Sequence, residues 1–234
     1  KAMAYSDLSN IFWKQAKFES GLEYALTSLD FFNSWGITDL DYGFTLYIAG
    51  NNYLALKEYE KALDYYKQSI AVGERYGFYN NLSDVYISLV DLYSFLGEFD
   101  NAEEAGQNAV KYAELLENNF MVMRSWLSVG RMHNAKSNYK DAVHALERCI
   151  EVATDNFGDA YYLSLAYKEL GTAYAGINQY KKAYAAFSEY DTLNDEVFTA
   201  EADHRISQLR TEFDVAQKES TIMVQESLIK KQET

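Results

Sequence analysis

A twelve-residue segment recurs along the chain at a nearly constant interval, and this repeat constrains the fold more than any other feature. The clearest copy is YEKALDYYKQSI, and its echoes are FDNAEEAGQNAV, YKDAVHALERCI, YKKAYAAFSEYD and, less closely, FESGLEYALTSL. Each copy has a small residue at its fourth position, which we call the anchor. The anchors are Gly21, Ala62, Ala102, Ala142 and Ala183, at successive spacings of 41, 40, 40 and 41 residues. Such a period predicts a solenoid of stacked supersecondary units.

Three further positions repeat together with the anchors. Aromatic residues stand three positions before each anchor, at Phe18, Tyr59, Phe99, Tyr139 and Tyr180. Nine positions before it stand Phe12, Tyr53, Tyr93, His133 and Tyr174, and twelve before it stand Ser9, Gly50, Val90, Gly130 and Gly171. Small residues let two helices cross closely, and the aromatic rings fill the adjoining gaps. With no proline in the chain, we expect uninterrupted helices paired as hairpins over 3–34, 41–76, 79–117, 120–156 and 159 to about 200.

The fullest copy of the motif, YKELGTAYAGINQYKKAYAAF over Tyr167–Phe187, resembles the tetratricopeptide repeat family. The likeness covers residues 4 to 195 and implies an all-α fold, a right-handed superhelix of about five helical hairpins with a long C-terminal helix. We therefore expect the solenoid over 1–200 and a helical linker over 201–234. Three departures stand out: the period is 40 and not about 34 residues, the usual terminal proline is missing, and Gly106 replaces the expected aromatic of the third repeat.

Charge and composition exclude several classes of partner. With 35 acidic and 21 basic residues the net charge is −14, which repels phosphate backbones, so we expect no nucleic-acid partner. The chain has no run of about 18 apolar residues, so direct membrane contact is not expected. Because the sequence begins at Lys1 and stops at Thr234 within a charged helical pattern, it is expected to be part of a longer protein.

Residues able to carry enzymatic chemistry are few. His133 takes a repeat position that otherwise holds aromatics, which predicts a packing role, and His144 and His204 have no partners at metal-ligand spacing. Cys149, the single cysteine, lies on the apolar stripe of a second helix, where packing is expected. We predict no metal, no cofactor and no catalytic activity for these residues.

The resemblance implies that the first helix of each hairpin lines a concave groove that binds a peptide or protein. The positions on that face are Phe44, Tyr47, Asn51, Leu54, Asp84, Ile87, Asp91, Ser94, Arg124, Leu127, Arg131, Asn134, Leu165, Lys168, Thr172 and Ala175. The expected ligand-binding residues are Tyr47, Asn51, Asp91, Arg124, Arg131, Asn134 and Lys168. Asn51 and Asn134 are expected to hold a peptide backbone, and the two arginines a carboxylate. The alternative is that these are ordinary exposed polar residues.

After the fifth hairpin the sequence stays helical in character. A helix from Tyr180 to about Lys231 would be roughly 75 Å long. Apolar seam positions then follow at spacings of 3, 4, 3, 4 and 3, at Ile206, Leu209, Phe213, Ala216, Ser220 and Met223. This pattern is typical of a coiled coil that pairs two chains as a homodimer. The alternative is that Leu209 and Phe213 cap the fifth hairpin.

The segment QLRTEFDVAQKE resembles the region that follows such repeats in bacterial membrane signalling proteins, where a linker leads to a diguanylate cyclase, histidine kinase or DNA-binding output. The sequence therefore predicts a sensory or regulatory domain that binds a peptide or protein and relays through its C-terminal helix, in the periplasm. The alternatives are a structural scaffold for protein–protein contacts and a cytoplasmic peptide-pheromone receptor.

Overall fold

The computed structural model describes residues 1–155 and 159–199, and all regular structure in this part of the chain is helical. The helices are α1 (Ala2–Lys14), α2 (Phe18–Ser34), α3 (Leu40–Ala55), α4 (Tyr59–Tyr76), α5 (Tyr79–Leu96), α6 (Phe99–Leu115), α7 (Asn119–Ala135), α8 (Tyr139–Asp155) and α9 (Ala160–Gly176). A tenth helix, α10, covers 180–199. None of the helices in these residues is long and apolar enough to cross a membrane.

The helices pair as five antiparallel hairpins that stack into a right-handed superhelix, which confirms the predicted fold class. The predicted hairpin bounds agree with the observed helices to within a few residues. The expected linker over 201–234, with its coiled-coil seam and its alternative capping role, lies outside the described residues. The long C-terminal helix is therefore described only as far as residue 199.

The anchors lie where the two helices of a hairpin cross. Ala62, Ala102 and Ala142 are completely buried, and Gly21 and Ala183 are buried as well. At Gly21 even a β-carbon would lie 2.4 Å from Oδ1 of Asn52. The repeat therefore records the points of closest helix approach, as the spacing predicts.

The glycine twelve residues before an anchor faces a large side chain of the second helix in the same hairpin. A β-carbon on Gly50 would lie 2.6 Å from the ring of Tyr66, and one on Gly130 would lie 2.5 Å from Leu146. In the third hairpin the two sizes are exchanged, because Val90 stands at the glycine position and Gly106 at the position of the large residue. A β-carbon on Gly106 would lie 3.8 Å from Cγ2 of Val90 in the same hairpin and 2.8 Å from Cγ2 of Val129 in the next, so both side chains occupy the space of the missing aromatic.

The turns between helices close without proline because they use the left-handed backbone region. Gly36, Gly77 and Glu117, which follow the second helices of the first three hairpins, have φ of +65°, +66° and +53°. Proline is fixed near −65° and cannot adopt these angles. The turns inside the hairpins do the same at Ala16, Lys57, Gly97, Ser137 and Asn178.

Candidate functional site

The first helices of successive hairpins contact one another, from α1 to α3, α5, α7 and α9. Among the described helices the second ones, α2, α4, α6 and α8, do not approach one another closely. The solenoid therefore curves with its first helices on the inner side. This arrangement places the predicted ligand-binding residues of α3, α5, α7 and α9 on the concave surface, which we call the groove.

At the N-terminal part of the groove, the side chain of Asn51 already takes part in a hydrogen bond within the protein. It is 7% exposed, and its Oδ1 accepts a hydrogen bond of 2.7 Å from the hydroxyl of Tyr66. Neighbouring Tyr47 is half-buried, and burial raises the pKa of its hydroxyl. Both residues pack against Tyr66, whose side chain reaches through the gap beside Gly50, and their contact with a ligand stays a prediction.

In the middle of the groove, Arg124 forms a closed ion pair. Its Nη1 donates to Oδ1 of Asp84 at 2.7 Å, and its guanidinium lies 5.7 Å from the ring centres of both Phe120 and Tyr162. The Arg124 side chain is only 22% exposed. The charge of Arg124 is thus matched by Asp84, and its binding of a ligand carboxylate stays a prediction.

Two helical turns further along α7, Arg131 lies in a more open environment. It lies between two carboxylates, with Nη1 3.7 Å from Oδ2 of Asp91 and Nε 4.0 Å from Oε1 of Glu169. Both distances exceed a hydrogen bond, and the Arg131 side chain is 49% exposed. Unlike Arg124, this guanidinium and its two carboxylates retain donors and acceptors for a further group.

Asn134 and Ser128 fix the two carboxylates of this cluster. The Asn134 side-chain amide donates to the backbone carbonyl of Glu169 at 3.0 Å and to its carboxylate at 2.9 Å, while Ser128 donates to Asp91 at 3.1 Å. The Oδ1 of Asn134 and the hydroxyl of Ser94 have no hydrogen-bond partner among the described residues. Burial raises the pKa of the Asp91 carboxyl, and the charge of Arg131 opposes this shift.

A cavity of about 390 Å³ opens at this cluster. Its walls include all the polar residues just described except Ser128, together with Phe95, which is 71% exposed. We call this set, Asp91, Ser94, Phe95, Arg131, Asn134 and Glu169, the open cluster. It combines charged side chains of both signs with an exposed aromatic surface, which are elements of a peptide-binding site.

The structure brings together three of the seven predicted residues, Asp91, Arg131 and Asn134. Lys168 lies apart from the cavity, with its ammonium 5.7 Å from the ring centre of Tyr190 on α10. Sequence reasoning missed Glu169 and did not single out Ser94 or Phe95. Glu169 lies one repeat interval after Ser128, so the same spacing that defined the hairpins also indicates that these two residues are neighbours.

Cys149 and His133, whose side chains could in principle react or bind a metal, lie away from the groove. Burial raises the pKa of the Cys149 thiol to about 12, which keeps it protonated. Burial also lowers the pKa of His133, against the opposing charges of Asp141 and Glu103. Within residues 1–155 and 159–199 no group of His, Cys, Asp and Glu side chains is arranged to hold a metal ion.

These features define the molecule as a helical-repeat solenoid protein with a polar groove on its inner side. The family model described as tetratricopeptide repeat matches residues 1–75 and 45–115. The chain therefore belongs to the tetratricopeptide repeat family through these residues, and its two later hairpins continue the same repeat. No sequence match was found among curated proteins.

Solved structures share this architecture. BtubC (BKLC) from P. vanneervenii superimposes with a TM-score of 0.72 at 16% identity, over 82% of this chain and 79% of that one. A putative kinesin light chain with TPR-like repeats from Podosopora anserina gives 0.65 at 13% identity, over 83% and 95%. The apo form of RapI gives 0.62 at 12% identity, over 85% and 84%. At these identities the similarity shows the fold alone.

Proposed function

We propose that this chain binds a peptide segment of a partner protein in the groove and that the open cluster is the centre of the binding site. The tetratricopeptide repeat is a scaffold for protein–protein interaction, and the proposal here concerns where and what this one binds. The observation that carries it is the contrast between two arginines on the same face of α7. Arg124 is closed onto Asp84 at 2.7 Å, whereas Arg131 is beyond hydrogen-bond distance from both of its carboxylates.

The chemistry of the open cluster favours a peptide with a basic residue next to an apolar one. Asp91 and Glu169 carry two negative charges and Arg131 one positive charge, so the cluster has a net negative charge that a positive charge would balance. A lysine or arginine of the ligand can supply it, and the ring of Phe95 offers an apolar surface beside it.

We also propose the role of a sensory domain in a bacterial signalling protein, in which binding is relayed through the C-terminal helix. The supporting contact lies next to the groove: Glu169 belongs to the open cluster, and the adjacent Lys168 lies against Tyr190 of α10. A ligand that draws Glu169 towards itself shifts α9, and this contact passes the shift to α10.

A peptide library displayed on phage tests the binding site directly. Selection on the full chain is followed by fluorescence anisotropy with the selected peptides, made synthetically. The variant carries Arg131→Ala and Asn134→Ala together, and the matched control carries Arg148→Ala and Asn108→Ala on second helices outside the groove.

We expect selected peptides to be enriched in basic residues and the groove variant to bind them at least tenfold more weakly, since hydrogen bonds to charged groups contribute about 1.5–3 kcal/mol each. The control should bind like the wild type. Peptides that bind the wild type and the groove variant within twofold of each other would place the site elsewhere.

A further inference from the structure

The outer side of α1, at the start of the solenoid, is apolar and exposed. Three positions of each first helix, 17, 13 and 10 residues before the anchor, face the preceding hairpin; in α3, for example, Thr45 donates a hydrogen bond to Ser6 at 2.9 Å. In the second to fifth hairpins these positions are all buried, at Thr45, Ala49, Asn52, Val85, Leu89, Leu92, Ser125, Val129, Met132, Ala166, Leu170 and Ala173. In the first hairpin they hold Ala4, Leu8 and Ile11, and the two larger side chains are 38% and 49% exposed.

The opposite end of the solenoid exposes aromatic rings. In the first four hairpins the residues three before, one after and four after the anchor are half-buried or buried. In the fifth hairpin these residues are Tyr180, Tyr184 and Phe187, which are 67%, 78% and 38% exposed. The outer face of a terminal repeat is normally polar. Both ends of this solenoid therefore have the composition of a joint between two hairpins.

Contacts between successive hairpins show which positions meet at such a joint. The residue three before an anchor meets the residue seven before the next anchor, as the rings of Tyr59 and Phe95 do at 5.4 Å between centres. The residue one after an anchor meets the residue six before the next, as Glu103 and Lys136 do at 3.4 Å. These two spacings fix the register of one hairpin on another.

A third contact lies among the buried residues of the joint. The residue four after an anchor meets the residue thirteen before the next, because a β-carbon on Gly106 would lie 2.8 Å from Cγ2 of Val129. At the two ends of the solenoid the same positions hold Phe187 and Leu8. Both side chains are exposed and apolar, so they would pack together if the fifth hairpin of one molecule met the first hairpin of another.

We propose that two copies of the chain associate head to tail, with α1 of one copy docked on the fifth hairpin of the other, so that the solenoid continues across the joint. The observed register then brings the ring of Tyr180 to the ammonium of Lys14, which makes a cation–π pair, and places Tyr184 beside Gln15. A second copy is the partner because each end carries the side chains that the other end requires.

This contact joins two different faces, so every added copy leaves one face of each kind free. Contacts of this type build open chains unless their rotation closes a ring. The joint is separate from the open cluster, and association does not depend on peptide binding in the groove.

Variants that damage one face each test the joint. The head variant carries Leu8→Gln and Ile11→Gln, and the tail variant carries Tyr180→Gln and Tyr184→Gln. Glutamine is a good helix former and is uncharged, so neither variant changes the net charge of −14. Sedimentation velocity of the full chain from about 10 μM to about 500 μM, in about 0.15 M NaCl to screen the net charge, measures the association.

The matched control carries Tyr76→Gln and Leu115→Gln. These side chains are 45% and 53% exposed, on second helices of the interior hairpins. We expect the wild type and the control to form oligomers that grow with concentration. The head and tail variants, with unchanged circular dichroism spectra, should associate at least about tenfold more weakly, since each loses two large side chains from the joint.

Mixing the two variants distinguishes head-to-tail association from other arrangements. The head variant keeps its tail face and the tail variant keeps its head face, so an equimolar mixture should form one-to-one dimers that do not grow further. A wild type that stays monomeric up to about 500 μM overturns the proposal. So does a mixture without dimers, or association that survives in either variant alone. If a double variant fails to fold, Ile11→Gln or Tyr184→Gln alone replaces it, since these are the more exposed members of each pair.

Discussion

Gly130→Ala should change the free energy of unfolding in opposite directions depending on whether residue 146 is leucine or alanine. A β-carbon on Gly130 would lie 2.5 Å from Cγ and 2.6 Å from Cδ2 of Leu146, which is fully buried. Overpacking of this kind costs about 1–3 kcal/mol. Alanine in place of glycine inside a helix stabilises by about 1 kcal/mol. In the wild-type background we therefore expect Gly130→Ala to lower the free energy of unfolding by up to about 2 kcal/mol.

Leu146→Ala removes the atoms that cause the conflict. Alone, this change should lower the free energy of unfolding by about 2–5 kcal/mol, because it opens a cavity in the core. In the Leu146→Ala background the new methyl group of Gly130→Ala meets free space and retains its helix-forming advantage. There Gly130→Ala should raise the free energy of unfolding by about 1 kcal/mol.

Urea unfolding of the four proteins, followed by circular dichroism, measures this cycle. The two effects of Gly130→Ala should differ by about 1–3 kcal/mol, within the range known for residues in contact. If Gly130→Ala has the same sign and size in both backgrounds, Leu146 is not the reason for a glycine at position 130. The interpretation of the Val90 and Gly106 exchange would then fail with it.

Three further predictions test other features. The wild type should lose stability below about pH 6.5, because burial lowers the pKa of His133 in the folded state and protonation then favours unfolding. His133→Phe should remove this loss, so the unfolding free energies of the wild type and the variant should diverge as the pH falls from about 7.5 to about 5. Lys57→Gly and Ser137→Gly should each raise the free energy of unfolding by about 0.5–1 kcal/mol, since both residues have a left-handed backbone; thermal melts at or below the wild-type temperature would contradict this. Ala142→Leu should cost about 1–3 kcal/mol because Ala142 is completely buried, and a melt indistinguishable from wild type would remove that residue from the helix crossing.

The fold was predictable from the sequence because each hairpin repeats the same contacts at nearly the same interval. The anchors, the glycines and the aromatic positions are all local consequences of two helices crossing closely; the anchors and the aromatics three positions before them appear in each copy, and the glycines in the second, fourth and fifth. The exchange at Val90 and Gly106 looked like a departure from the family pattern. It becomes intelligible only when the two positions are considered as a pair that touches across the hairpin.

The candidate site was predictable in part, since residues one repeat apart lie side by side on neighbouring first helices. The pairs Asp84 with Arg124 and Asp91 with Arg131 are both separated by 40 residues, so their proximity is implicit in the period. The sequence does not distinguish the closed pair from the open one. That difference arises from three-dimensional packing, because the rings of Phe120 and Tyr162 lie beside Arg124, while in the part of the chain that the structure describes no ring lies over Arg131.

The size-matched pairs make the hairpin, and not the single helix, the smallest exchangeable part of this molecule. Gly130 with Leu146 fills a gap inside one hairpin, and Gly106 faces Val90 of its own hairpin as well as Val129 of the next. If α8 were grafted behind α5, Val90 would collide with Leu146, and if α6 were grafted behind α7, two glycines would face each other across a void. Duplication, deletion or shuffling of repeats therefore preserves the core only when both helices travel together.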